Sequence, residues 1–391
     1  MIEEYMKGVK EIIEKVKNEG DKAIVELTEK FDGVRLEKFR VEEEEIEEAY
    51  GSVDDGLISA LEIARDNIER FHYLTMPELD MRIDFGDAIM GKKYTAIERV
   101  GLYIPGGRAS YPSTVLMSAV PARLAGVETI VACTPPDERG KIKPVTLVAM
   151  DMCGVDEIYK VGGAQAIAGM AYGTETIKKV EKIVGPGNIY VTLAKLLVQD
   201  VVAIDLPAGP SEVLVIADES ADAELVALEC LAQLEHDPMA RAIVITTSAS
   251  LAEKVKNTVL GEKKDARFEV RVVESIRKAV ELSNRIAPEH LVILTEDNWG
   301  VFEKVKHAGS VFLGEFSPVS AGDYASGTNH ILPTSGFARM YSGLSVETFM
   351  KSITYQEIRR EGLERLKDAI IKLARAEGLE WHARSVEERL K

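Results

Sequence analysis

From about residue 97 onward, short runs of β-branched and aliphatic residues alternate with stretches whose apolar positions recur every three or four residues. VGLYI, VETIVAC, DEIYKVG and VEKIVG read as strands, and STVLMSAVPARLAG reads as a helix between the first two. The alternation resumes after residue 211 with EVLVIAD, RAIVITTS, FEVRVVE, LVILTE and GSVFLG. This pattern predicts βαβ units with parallel sheets, and its recurrence predicts two α/β domains. The first hundred residues read as mostly helical. In VEEEEIEEAY, Val41, Ile46 and Ala49 keep a thin apolar face through an acidic run, which marks a solvated helix face and not a tail. These N-terminal helices are expected to complete the domain that begins after residue 211. The last forty residues return to a helical pattern. Before them, FSPVSAGDYASGTNHILPTSG has no period and is expected to be a functional loop, with Tyr324, His330 and Ile331 arguing against disorder. The expected boundaries are a helical extension at 1–15, one discontinuous α/β domain at 16–100 plus 212–344, a second at 101–211, and a helical arm at 345–391.

At 391 residues the chain is too long for a single small core, which agrees with two domains. Its formal net charge of −17 argues against nucleic acid or an anionic membrane as partner, since both need a basic face. No apolar run is long enough to span a bilayer, and the amphipathic start MIEEYMKGVKEIIEKVKNEG lacks the apolar core of a signal peptide. Cys133, Cys153 and Cys230 are widely spaced in apolar surroundings, so neither a disulfide framework nor a thiolate metal site is expected. These features together imply a reduced, cytoplasmic protein.

Three glycine turns, IPGG at 104–107, VGGAQ at 161–165 and VGPGN at 184–188, join strands to the segments after them. Backbone N–H groups at such turns favour anionic ligands, although any tight strand-to-helix turn also wants glycine. The G-x-G-x-x-G dinucleotide fingerprint is absent. Of the six histidines, His72 and His307 have helix-like surroundings and no partner at useful spacing. His236 lies three residues after Gln233, so the two share a helix face and form either a helix-end hydrogen bond or half of a metal site. Asp323 and His330 bracket the glycine-rich loop, where turn capping is the alternative to a functional role. Glu377 and His382 fall on the apolar stripes of the C-terminal helices, where ionisable groups need partners. Taken together, Gln233, His236, Asp323 and His382 would form a nitrogen and oxygen donor set suited to zinc. Glu289 and His290 stand in NRIAPEHLVIL at the mouth of a strand. Pro288 should end the preceding helix and hold Ala287 extended, and adjacent strand residues should point to opposite faces without bonding each other.

The blocks VGLYIPGGRASYPSTVLM, KVGGAQAIAGMAYGTE, KIVGPGN, DLPAGPSEVLVIAD, LAQLEHDP, NRIAPEHL and SAGDYASGTNHILPTSG together resemble the histidinol dehydrogenase family, in the family's order and over about residues 97 to 336. The resemblance implies two incomplete Rossmann-like α/β/α domains with helical extensions. It implies oxidation of L-histidinol to L-histidine through the aldehyde, with two NAD molecules and one zinc ion per subunit. By position, Gln233, His236, Asp323 and His382 match the zinc ligands, and Glu289 and His290 the two proton acceptors. Ser211, Glu377 and His330 match substrate-side positions, which the zinc ligands and His290 share. Tyr103, Gln165 and Asn188 match NAD contacts, which puts the cofactor on the 101–211 domain. The family is a homodimer whose C-terminal arm helps to build the partner's site. Two other readings remain at this level. In a zinc hydrolase, Glu289 or Glu235 would activate water, but no H-E-x-x-H occurs and the glycine turns go unused. In a non-catalytic α/β scaffold, the acidic and histidine-bearing loops would serve assembly.

Overall fold

A computed structural model describes residues 2–106, 110–206, 209–236 and 238–391, so Gly107 of the IPGG turn lies outside the described residues. Packing divides the chain into two units. The smaller comprises Met76–Ala96 with Met350–Lys391, and the larger comprises the residues up to Thr75 with Ile97–Phe349. The smaller unit is built on an antiparallel sheet of β1 (Asp80–Asp84), β2 (Ala88–Ala96) and β13 (Met350–Ile358). It also carries helices Arg360–Ala376 and Glu380–Arg389. The first hundred residues are mostly helical, as read, but β13 corrects the expectation that the arm at 345–391 is helical throughout. Most of β13 is exposed, so it shows no alternation of buried and solvated residues, and its partner β2 lies far away in sequence.

The larger unit holds two sheets of five strands each. The first contains β3 (Arg99–Tyr103), β4 (Thr129–Thr134), β5 (Glu157–Lys160), β6 (Lys182–Val184) and β7 (Ala203–Ile204), all parallel in the order β5-β4-β3-β6-β7. The second contains β8 (Glu212–Ala217), β9 (Arg241–Thr246), β10 (Arg267–Val272), β11 (His290–Leu294) and β12 (Ser310–Leu313), parallel in the order β10-β9-β8-β11-β12. Each sheet therefore starts in its middle, runs outward on one side, and then returns to fill the other. This is the doubly wound arrangement, one strand short of six in each sheet. Every residue of β8 and of β11 is buried. Val213, Val215, Val292 and Leu294 pack under helices Ala223–Glu235 and Ala249–Glu262, while Leu214, Ile216, Leu291 and Ile293 pack under helix Ile276–Ile286. With both faces covered, the strands read as continuous apolar runs, which is why they were legible.

The N-terminal helices lie elsewhere than expected. Val9, Ile13 and Val16 of helix Ile2–Glu19, with Ala23, Ile24 and Leu27 of helix Asp21–Asp32, join one core with Val131, Cys133, Tyr159 and Val161 of the first sheet. They cover the 99–204 sheet, not the one after residue 211, and the 1–15 segment is part of that core and not an extension. An amphipathic helix pattern shows which face is buried but not which sheet buries it. The three cysteines are buried and free.

Candidate functional site

Helix Ile276–Ile286 ends on Ala287, whose φ of 55° and ψ of 64° are left-handed and not extended as expected. Its N–H donates to the Ser283 carbonyl at 2.7 Å, so the cap satisfies a carbonyl the helix end would orphan. That gain outweighs both the extended preference before proline and the ~1 kcal/mol cost of a left-handed alanine. The chain then turns through Pro288 and enters β11 at His290. Glu289 is 5% exposed and His290 4%, so both ionisable groups are buried at the amino end of a central strand. Gly309 is needed here, because a Cβ on it would come within 2.6 Å of the Glu289 carbonyl oxygen.

Glu289 Oε2 lies 3.7 Å from His290 Nδ1, an ion-pair distance too long for a hydrogen bond, and Asp323 Oδ1 lies 3.5 Å from Nε2. The imidazole thus stands between two carboxylates with neither nitrogen hydrogen-bonded. Burial pushes the Glu289 carboxyl up to about 7, against the opposing pull of His290 and of an N–H donated by Glu212. Burial disfavours the charged form of His290, but Glu289 and Asp323 together overcome it and raise the imidazole to about 9. Asp323 is held below its usual range despite burial, chiefly by His290, with His330 and His236 adding to the effect. His236 is therefore within electrostatic reach of Asp323.

Two carboxylates not singled out in the sequence support this row. The Glu212 N–H donates to Glu289 Oε2 at 2.7 Å, while the Glu212 side chain accepts from the Ser335 N–H and faces Arg241 at 3.4 Å. Ser211 is the residue before it, which puts Ser211 next to the Glu289 carboxylate. Glu229 accepts the Val319 N–H at 3.1 Å and so holds the start of Val319–Tyr324, the short helix that carries Asp323. That helix interrupts the stretch expected to be wholly irregular. Burial raises both Glu212 and Glu229. Only the fold brings either of them to the site, so no local pattern marks them.

Gln233, 3% exposed, lies on the helix covering the His290 face of the second sheet, and its amide nitrogen has no hydrogen-bond partner. His236 ends that helix and is exposed. His330 Nδ1 donates to the Asp323 backbone oxygen at 2.7 Å, which leaves Nε2 to accept from the Thr114 hydroxyl at 3.4 Å. Next to it, Asn329 donates to the Met117 carbonyl and stands 3.4 Å from His72 Nε2. His72 is thus buried, the second of the two placements open to it in the sequence (surface or satisfied imidazole), beside an amide that lies far away in the chain. Burial lowers its imidazole to about 4. Between that value and the free imidazole value near 6.5, the unfolded chain takes up a proton that the folded chain refuses. The contribution of His72 to stability is therefore complete above pH ~6.5 and is lost as pH falls below it. His72→Leu is expected to remove about 1.5 kcal/mol of acid destabilisation between pH 6.5 and 5, read as a flatter denaturation midpoint against pH.

A second group lies at the carboxyl ends of the first sheet. The hydroxyl of Tyr103, the last residue of β3, accepts the Gly163 N–H at 3.1 Å, and burial pushes its phenol up to about 12. Gln165, 1% exposed, also has an unpartnered amide nitrogen. Asn188 is exposed and caps helix Ile189–Leu197 by accepting the N–H groups of Tyr190 and Val191. Asp32, missed in the sequence, has a buried, unpartnered Oδ2 that burial raises to about 6, and its charge acts on Tyr103. Glu377 and His382 stand in the smaller unit, and both are exposed within the chain, not buried as the apolar stripes suggested. Their stripe neighbours Leu373 and Leu379 are exposed as well, so one chain alone does not cover that face.

Among the described residues no three His, Cys, Asp or Glu side chains gather closely enough to hold a metal. The larger unit supplies His236 and Asp323, with the amide of Gln233 as a third donor of the oxygen and nitrogen type zinc accepts. A metal would use the Gln233 amide oxygen, so by donor type this partial set suits zinc, while the unpartnered Gln233 atom is the amide nitrogen.

The model for histidinol dehydrogenase matches residues 1–390. Histidinol dehydrogenase from Archaeoglobus fulgidus is 60% identical, over 100% of this chain and 96% of the relative. That from Methanocaldococcus jannaschii is 54% identical, over 100% and 93%. The crystal structure of histidinol dehydrogenase from Elizabethkingia anophelis superposes with a TM-score of 0.95 at 44% identity, covering 98% of this chain and 91% of that one.

Proposed function

The chain belongs to the histidinol dehydrogenase family and is an oxidoreductase, and from that premise we propose that it performs the final step of histidine biosynthesis, oxidising L-histidinol to L-histidine through the aldehyde with NAD and zinc. The observation that supports this reading most directly is the buried row Glu289–His290–Asp323, in which two proton-handling groups and one metal-type donor meet at the end of a central strand. An alcohol-to-acid oxidation needs one base for the alcohol proton and one for the water that adds to the aldehyde. Glu289, raised to about 7, is suited to take the proton of water near neutral pH. His290 is held charged by Glu289 and Asp323 together, and it suits the alcohol proton once that pull is relieved, as a cation on the Asp323 carboxylate would do in part.

When bound, NAD would accept the hydride and zinc, held by Gln233, His236, Asp323 and His382, would clamp the substrate and orient it. Tyr103, Gln165 and Asn188 would contact NAD at the carboxyl ends of the first sheet, the usual place for a ligand in an open α/β sheet. Ser211, His330 and Glu377 would face the substrate. Glu377 and His382 would enter the site from a second copy of the chain, in a homodimer. The exposed Met81, Ile83, Phe85, Leu373 and Trp381 of the smaller unit are the apolar surface such a pairing would cover. No described helix is long and apolar enough to cross a membrane, and we place the protein in the cytoplasm.

The test is to incubate the protein with histidinol and NAD, with and without a chelator, and to follow reduced nicotinamide. Two reduced cofactors per histidinol, stopped by the chelator and restored by zinc, are expected. Histidinol-independent hydrolysis without NAD would favour the hydrolase reading, and silence from a folded protein would favour the scaffold.

A further inference from the structure

Beyond the residues assigned above, the larger unit contains a buried ion pair that the proposed chemistry does not use. Lys195 and Asp205 contact each other with side chains only 5% and 0% exposed. Lys195 lies in helix Ile189–Leu197, and Asp205 directly follows β7. Between them they hold one glycine by both of its peptide groups. Asp205 Oδ2 accepts the Gly185 N–H at 2.8 Å, and Lys195 Nζ donates to the Gly185 carbonyl at 2.9 Å.

Gly185 opens the turn after β6. Its φ is +117°, and a Cβ there would collide with the Tyr103 carbonyl oxygen. The turn is therefore pressed against the end of β3. In the first sheet, the strands after β3 run outward through β4 and β5, and the chain then crosses back to β6 on the other side. The crevice between the carboxyl ends of β3 and β6 is thus the switch point, where open α/β sheets bind their ligands. The held glycine forms one wall of that crevice, and Asn188, three residues on, caps the helix that faces it.

Burying two charges is an inefficient route to stability, because a well-packed apolar pair of similar volume is commonly as stable or more so. A hydrogen-bonded ion pair does supply direction, fixing a backbone segment in one place. We infer that Lys195 and Asp205 are positioning residues for the dinucleotide: they lock the Gly185–Asn188 turn in the shape that receives NAD at the switch point. The inference rests on the NAD reading above and extends it to two residues that do not touch the cofactor.

The experiment measures NAD binding by calorimetry, and the Michaelis constants for NAD and for histidinol, in three proteins. These are the parent, Asp205→Asn, and the charge-free double variant Lys195→Met with Asp205→Leu, each with its thermal midpoint. In both variants the dissociation constant and Michaelis constant for NAD are expected to rise on the order of tenfold or more, the scale of a misplaced binding element. The Michaelis constant for histidinol at saturating NAD, and the bound zinc, are expected to stay at parental values. A folded double variant that binds NAD like the parent overturns the inference, as does a parallel rise in both Michaelis constants. A double variant that fails to fold also overturns it, because the pair would then serve stability. If the parent itself binds no NAD, the proposed function fails first.

Discussion

Glu289→Gln is expected to leave the oxidation of histidinol to the aldehyde close to the parental rate and to slow the oxidation of the aldehyde by roughly 10²- to 10⁴-fold, the usual worth of a positioned base. Burial places the Glu289 carboxyl near 7, and the Glu212 N–H at 2.7 Å fixes its orientation, so it is held ready to take a proton from water. Glutamine keeps the shape and cannot accept that proton. The same change removes one of the two carboxylates that keep His290 protonated, so the first step does not lose its base. Supplying histidinol and the aldehyde separately, and counting reduced nicotinamide in a single turnover, separates the two steps. The parental rate of the second step should rise with pH through about 7, as Glu289 ionises, and level off above it, whereas the variant should lack that rise. His290→Asn is expected to slow mainly the first step. Equal loss of both steps in Glu289→Gln would end this division of labour.

The second large effect concerns the arm. Asp323→Asn and His382→Asn should each be nearly inactive alone, since each removes a proposed zinc ligand. Co-expressed with separable tags, the two chains form hybrids in half of the dimers under random pairing. If the arm of one copy completes the site of the other, each hybrid has one site with an intact core and an intact arm. About a quarter of parental activity should then return. If each arm serves its own chain, no site is whole and the mixture stays inactive. The exposure of Glu377, His382 and Leu373 in the single chain favours the crossed arrangement.

Legibility in the sequence followed the range of the interactions. β3 to β6 and β8 to β12 could be read because burial, whichever element supplies it, leaves an apolar run along each strand itself. The place of the corner before Glu289 could also be read, because proline ends a helix by its own covalent geometry, but the left-handed cap at Ala287 could not. The pairing of β13 with β2 could not, since its hydrogen bonds join residues more than 250 positions apart and leave the side chains mostly exposed. The same holds for Asn329 against His72, for Glu212 under Glu289, and for Glu229 under the helix of Asp323.

On its own, therefore, the sequence determined the two parallel sheets, the strongly negative net charge, and which residue types were available for proton transfer and metal binding. Only the tertiary structure decided that His290 stands between two carboxylates, that the N-terminal helices cover the first sheet, and that Glu377 and His382 are bare in one chain. Periodicity records which face of an element is buried, not what buries it. Charge balance and partner choice depend on groups the fold brings from far away, and these leave no local pattern to read.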